Sequence, residues 1–188
     1  MAQRVCPWWL GYFLASPLRR WMLDPIAALQ PYVREGMTVL EPGPGMGFFT
    51  IELARLVGAS GRVVAVDIQP KMLAGLKRRV AKARLPGQVE ARLVSPDSLG
   101  VADLKGSVDF TLAFAVVHEL PSVSKFFGEV RDASKPGASL LVVEPVGHVK
   151  EEDFESELAA AGQAGFAVKG RPAVRRSHAA LLKRSEPL

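Results

Sequence analysis

From Gly36 onward the apolar positions switch between two periods. Short runs rich in β-branched residues recur at Thr38–Leu40, Arg62–Val66, Val89–Val94, Val108–Phe114 and Ser139–Val143, each bounded by Gly, Pro, Asp or Ser. Three of them are almost wholly apolar, as parallel strands covered on both faces are. Between them, apolar residues fall three and four apart at Phe49, Leu53, Leu56 and Val57, and again at Met72, Leu73, Leu76 and Val80. That spacing predicts amphipathic helices. Pro70 suits the first turn of the second helix, and Gly87 lies shortly past its end. Phe126, Phe127 and Val130 stripe a further helix that stops before Lys135-Pro136-Gly137, and Glu151 to Ala164 reads as an acidic amphipathic helix. Phe166–Val168 and Ala179–Leu182 then follow with no helix-length segment between them, which predicts a closing antiparallel pair.

Strand and helix alternating in this way imply right-handed crossovers and a doubly wound α/β sheet, mostly parallel. At 188 residues the chain suits a single domain over 36–188, preceded by an N-terminal helical extension at 1–35 that holds all three tryptophans. Composition agrees with a packed core: 48% of residues are apolar and 23% charged. One cysteine, Cys6, excludes an internal disulfide, and with three scattered histidines no metal site is predicted. The apolar run after Arg4 is too short to span a bilayer, and Pro7, Trp8 and Trp9 suit a signal segment poorly. The expectation is a cytoplasmic protein with no membrane span. A net charge of +5 raises the question of nucleic acid, with basic residues clustered at Lys77–Arg84 and Arg171–Arg184. A basic face steers any anion, and no aromatics are interleaved as stacking platforms, so nucleic acid is the minority partner.

Chemistry concentrates where the first strand meets the first helix, in Glu41-Pro42-Gly43-Pro44-Gly45-Met46-Gly47. Glycines there permit positive φ and a close approach of ligand to backbone, at the strand end where open α/β sheets bind ligands. A dinucleotide fingerprint requires G-x-G-x-x-G. Here the third glycine comes one residue early, Phe48 holds the would-be sixth position, and Glu41 precedes the first glycine by two. A carboxylate there repels a pyrophosphate but accepts hydrogen bonds from an ammonium. Asp67 ends the second strand, where a carboxylate can accept both hydroxyls of a ribose, or alternatively cap the next helix. Ile68 beside it is placed to pack on a purine. After the third strand, Asp97-Ser98 can accept an adenine amino group, with an N-cap as the competing role for Asp97.

Together these pieces resemble the class I S-adenosylmethionine-dependent methyltransferases, over the chain from about Gly36 to its end. The family's first motif stands as Glu41 to Gly47, its acidic residue after strand two as Asp67, and its adenine-side acid as Asp97. Its late K-P-G-G turn stands as Lys135-Pro136-Gly137-Ala138, with alanine in the last place. The resemblance implies the strand order 3-2-1-4-5-7-6 with the last strand antiparallel, and S-adenosyl-L-methionine as cofactor. It places Glu41, Gly43, Pro44, Gly45, Gly47, Asp67, Ile68, Asp97, Ser98 and Phe114 around that cofactor.

The fourth strand ends in Phe114-Ala115-Val116-Val117-His118-Glu119, which in this family overlies the reactive methyl. It lacks the Asn/Asp-Pro-Pro-aromatic motif of the amino-methylating nucleic-acid enzymes, and no cysteine follows it as in the C5-cytosine enzymes. It is similar instead to small-molecule methyltransferases, including those of quinone biosynthesis, so a small-molecule acceptor is expected. The basic helix after Asp67 keeps an RNA methyltransferase as the alternative, and a catalytically silent cofactor-binding protein as a third. His118 is the candidate base, since imidazole titrates near neutrality, with a structural bridge as its competing role. Glu119 is a candidate to orient it, although neighbours on one strand face opposite ways. Glu144 and His148 fall on the same rim, His148 as an exposed loop residue. In the extension, Tyr12 can reach a cofactor carboxylate, and the aromatic residues around it suit a lid that excludes water from a sulfonium.

Overall fold

The computed structural model describes residues 24–185. The elements are α1 (Pro25–Leu29), β1 (Thr38–Pro42), α2 (Thr50–Val57), β2 (Arg62–Asp67), α3 (Pro70–Lys82), β3 (Val89–Leu93), β4 (Val108–Phe114), α4 (Val123–Ala133), β5 (Ser134–Pro145), α5 (Glu151–Gln163), β6 (Phe166–Gly170) and β7 (Ser177–Arg184). The sheet runs β3-β2-β1-β4-β5-β7-β6, the expected order. β1 and β2, β2 and β3, and β4 and β5 pair in parallel, while β7 is antiparallel to both β5 and β6. Among the described residues no helix is long and apolar enough to cross a membrane. Residues 1–23, with Cys6, Trp8, Trp9, Tyr12 and Trp21, lie outside the described residues. The described chain forms two compact units, 24–94 and 95–185.

In the first unit, Asp24 caps α1 by accepting from the N–H groups of Ile26 and Ala27, with Pro25 preset for the first turn. Val39, Leu40, Val63, Val64 and Ala65 have no exposed surface, which confirms β1 and β2 as strands covered on both faces. Each buried Val or Leu contributes about 1.5–3 kcal/mol over the exposed state. Ile51 of α2 packs with Leu73, Leu76 and Val80 of α3 against Ala65 of β2. The opposite side of α3 exposes Lys71, Lys77 and Lys82. The helix ends at Lys82, so Gly87 lies shortly past its end, and the chain reverses in between at Arg84 (φ 59°). That left-handed residue costs roughly 1–2 kcal/mol. The reversal pairs Arg84 N–H with the Ala81 carbonyl and Leu85 N–H with that of Val80, which satisfies two of the carbonyls of the last helical turn.

In the second unit, α4 buries Phe126, Phe127, Val130 and Ala133, and the Ser122 hydroxyl caps it by accepting from Lys125 N–H. β5 begins earlier than its apolar run suggests. Ser134 pairs opposite Val108 and Ser139 opposite Phe110, so Lys135-Pro136-Gly137 forms an excursion inside the strand. Gly137 turns there at φ 71°, and Lys135 Nζ meets Asp109 Oδ1 at 2.5 Å. The Arg184 guanidinium at the end of β7 donates to the Ser134 carbonyl. α5 turns Phe154, Leu158 and Ala161 inward, and Glu157 with them.

Candidate functional site

Two centres stand out, one in each unit. The first is the turn between β1 and α2. Gly43, Gly45 and Gly47 adopt φ of 67°, 53° and 84°, a region that L side chains avoid. A Cβ on Gly47 would lie 2.5 Å from Leu76 Cδ1, so this glycine lets α3 pack against the turn. A Cβ on Gly45 would meet nothing within 4 Å, which leaves the backbone there open to a ligand. The turn is tied down by Gly43 N–H donating to the Val66 carbonyl at 2.9 Å and Gly47 N–H to that of Pro44 at 2.9 Å. The Arg79 guanidinium donates to the Met46 carbonyl from α3.

Glu41 ends β1 beneath this turn and is only 3% exposed. Burial pushes its carboxyl up to about 7, against the lowering effect of the Thr50 hydroxyl and with a smaller contribution from the charge on Asp67. Among the described residues neither Glu41 Oε2 nor Thr50 Oγ1 has a hydrogen-bond partner of normal geometry. A buried, unpaired carboxylate is costly, and a cationic donor removes that cost. Asp67, at the end of β2, accepts from Gln69 N–H at 2.8 Å. Burial raises its carboxyl to about 6, opposed by the N–H groups of Gln69, Ile68 and Gly45, so Asp67 sits against the glycine turn. Ile68 is half-buried beside it. A buried carboxyl with one unpartnered oxygen, an open glycine backbone and a second carboxylate form one cradle. Its acceptors fit an ammonium and the vicinal hydroxyls of a ribose.

The second centre follows β4. Phe114 ends the strand half-buried, and Ala115 takes φ 54°. For a non-glycine residue this is strained backbone, of the kind concentrated at functional turns. The fully buried Glu144 of β5 holds the turn. Its Oε1 accepts from Val116 N–H at 3.2 Å and Val117 N–H at 2.7 Å, and its Oε2 lies 2.5 Å from His118 Nδ1. That hydrogen bond raises the His118 pKa above 6.5, against burial, with further help from the charges of Glu144, Glu119 and Glu157. The His148 ring lies edge-on to that of His118, with centroids 5.6 Å apart. Glu157 reaches the same cluster from α5. Burial, with the Glu144 charge, pushes its carboxyl up to about 8 against the pull of His118, and its Oε2 has no partner among the described residues.

Glu41, Gly43, Pro44, Gly45, Gly47, Asp67 and Ile68 are thus brought together within the first unit. Asp97 lies exposed in a turn of the second, and it caps no helix, since the next helical turn is Ala102–Leu104 behind Val101. The Ser98 hydroxyl is held by Glu129 Oε2 at 3.3 Å and accepts from Gly100 N–H. Glu119 shares the 3-10 turn of His118, but the hydrogen-bonded carboxylate is Glu144. His148 is exposed as expected and also contacts His118. Tyr12 lies outside the described residues. Sequence reasoning missed Thr50 and Glu157. Glu157 could have been found, because it stands three residues after Phe154 and four before Ala161, on a stripe otherwise apolar.

A family described as a methyltransferase domain matches residues 33–175. An arsenite methyltransferase of Halobacterium salinarum is 33% identical over 120 residues, which are 64% of this chain and 29% of that protein. The ubiquinone/menaquinone biosynthesis C-methyltransferase UbiE of Klebsiella pneumoniae is 33% identical over 113 residues, 60% of this chain and 44% of that protein. The chain therefore spans less than half the length of these curated relatives. The crystal structure of a SAM-dependent methyltransferase from Aquifex aeolicus superposes with a TM-score of 0.84 at 27% identity, covering 96% of this chain and all of that one. With the strand order, the glycine turn and its two buried carboxylates in place, the chain belongs to the methyltransferase-domain family, in its class I, S-adenosylmethionine-dependent form.

Proposed function

We propose that this chain transfers a methyl group from S-adenosylmethionine to a small-molecule acceptor. The observation that carries the cofactor half is the buried Glu41 carboxyl, with its Oε2 unpartnered among the described residues, below an open glycine backbone. Glu41 holds the ammonium of the amino-acid end. Asp67 accepts from the ribose hydroxyls, Ile68 packs on the adenine, and Gly43, Pro44, Gly45 and Gly47 line the path between. S-adenosylmethionine supplies, when bound, a methyl group on a sulfonium that is ready for in-line displacement. What the protein adds is position and the exclusion of water. A small-molecule acceptor is supported by two relatives, one named for arsenite and one for ubiquinone/menaquinone biosynthesis.

The test is incubation of the full chain with methyl-labelled S-adenosylmethionine and, separately, a quinol panel, a cell metabolite extract and total RNA. Label should appear in low-mass organic compounds. Label confined to RNA would overturn the acceptor class.

A further inference from the structure

Nδ1 of His118 is occupied by Glu144, while its Nε2 bonds to no described residue and the side chain keeps 19% exposure. The ring thus spends one nitrogen inside the fold and presents the other. A carboxylate can only accept, so the proton of the neutral ring sits on Nδ1 and a lone pair remains on Nε2. Glu144 also fixes where that lone pair points. Its Oε1 clamps the N–H groups of Val116 and Val117, which locks the strained turn at Ala115 that carries the ring.

We infer that Glu144 is a positioning residue that holds His118 as a proton acceptor at Nε2, so the acceptor substrate is one whose nucleophilic atom carries an ionisable proton. This rests on the transferase reading above and names its substrate class: hydroxyls, thiols, protonated amines or acidic carbons. The acceptor atom loses its proton to Nε2 and keeps the electron pair, which forms the new bond to the methyl carbon as the methyl–sulfur bond breaks and its pair leaves with the sulfur. The imidazolium, stabilised by Glu144, then passes the proton to water. Glu119, Glu157 and His148 are the other titratable groups facing the ring, and the two acids favour the imidazolium.

Glu144→Gln tests this without dismantling the turn. The amide oxygen can still accept from Val116 and Val117, but the amide nitrogen donates to Nδ1 and forces the ring proton onto Nε2. In the full chain, 15N-edited NMR should show His118 as the Nδ1–H tautomer in the wild type and Nε2–H in Glu144→Gln. Acylation of His118 by diethyl pyrocarbonate above its pKa should slow at least tenfold in the variant, while acylation of His148 and His178 is unchanged. Glu144→Asp, which keeps the carboxylate, should recover part of the rate. An Nε2–H tautomer in the wild type, or equal His118 acylation in wild type and variant, would overturn the inference. Neither measurement needs bound cofactor, so the inference can fail while the transferase reading stands, and the reverse.

Discussion

Glu41→Gln isolates the conflict between stability and ligand binding at the glycine turn. The wild-type carboxyl titrates at about 7 when folded against an ordinary 4.5, a shift caused chiefly by burial. Because the folded value is raised, the folded state binds the extra proton, and stability falls as pH rises from 4.5 toward 7. The full penalty, about 3 kcal/mol, is present by about pH 8 and is under about 1 kcal/mol at pH 5. Glutamine keeps the shape and cannot ionise. Urea unfolding should therefore find Glu41→Gln more stable than wild type by about 2–3 kcal/mol at pH 8 and nearly equal to it at pH 5. The same change removes the partner of a ligand ammonium. A hydrogen bond between charged groups contributes about 1.5–3 kcal/mol, so affinity for S-adenosylmethionine should drop about 10- to 150-fold. In the wild type, binding near neutrality should release a proton, seen calorimetrically as heat that depends on the buffer's ionisation enthalpy. Parallel pH profiles for wild type and Glu41→Gln would refute the reasoning, because the penalty would then not belong to Glu41.

The glycines separate packing from access. Gly47→Ala meets both left-handed strain and Leu76, for about 2–5 kcal/mol in all. Gly45→Ala meets strain alone, about 1–2 kcal/mol, so thermal unfolding should fall several degrees further for Gly47→Ala. Asp67→Ala should leave the fold intact by circular dichroism yet weaken S-adenosylmethionine at least ~100-fold, since two ribose hydroxyls lose a charged acceptor. Glu157, raised to about 8 by burial, also makes the wild type lose stability as pH rises from 4.5 to 8. Glu157→Gln should flatten that decline in pH-dependent unfolding, and an unchanged slope would count against the buried position of its carboxyl.

Most of the architecture was legible because burial on both faces writes itself into the chain. Val63–Val66 and Leu140–Val143 are continuous apolar runs, and their neighbours obey a helical period. The glycine turn and Asp67 were legible because both lie within the consecutive elements β1, α2 and β2. What escaped depended on partners far apart in sequence. His118 and Glu144 are twenty-six residues apart, and no period links them. The local reversal was hidden as well: Gly87 does lie past the end of α3, but it is Arg84 that takes the left-handed conformation, where its N–H and that of Leu85 reach the carbonyls of Ala81 and Val80. The early start of β5 was hidden because Lys135-Pro136-Gly137 carries the composition of a turn while Ser134 already pairs with Val108.

The central claim is that the glycine turn, Glu41 and Asp67 hold S-adenosylmethionine. Calorimetric titration of the full chain with S-adenosylmethionine, S-adenosylhomocysteine and NAD is its most direct test. Saturable binding of the first two is expected, with NAD at least tenfold weaker and binding lost in Asp67→Ala. Equal affinity for NAD, or undiminished binding in Asp67→Ala, would contradict it.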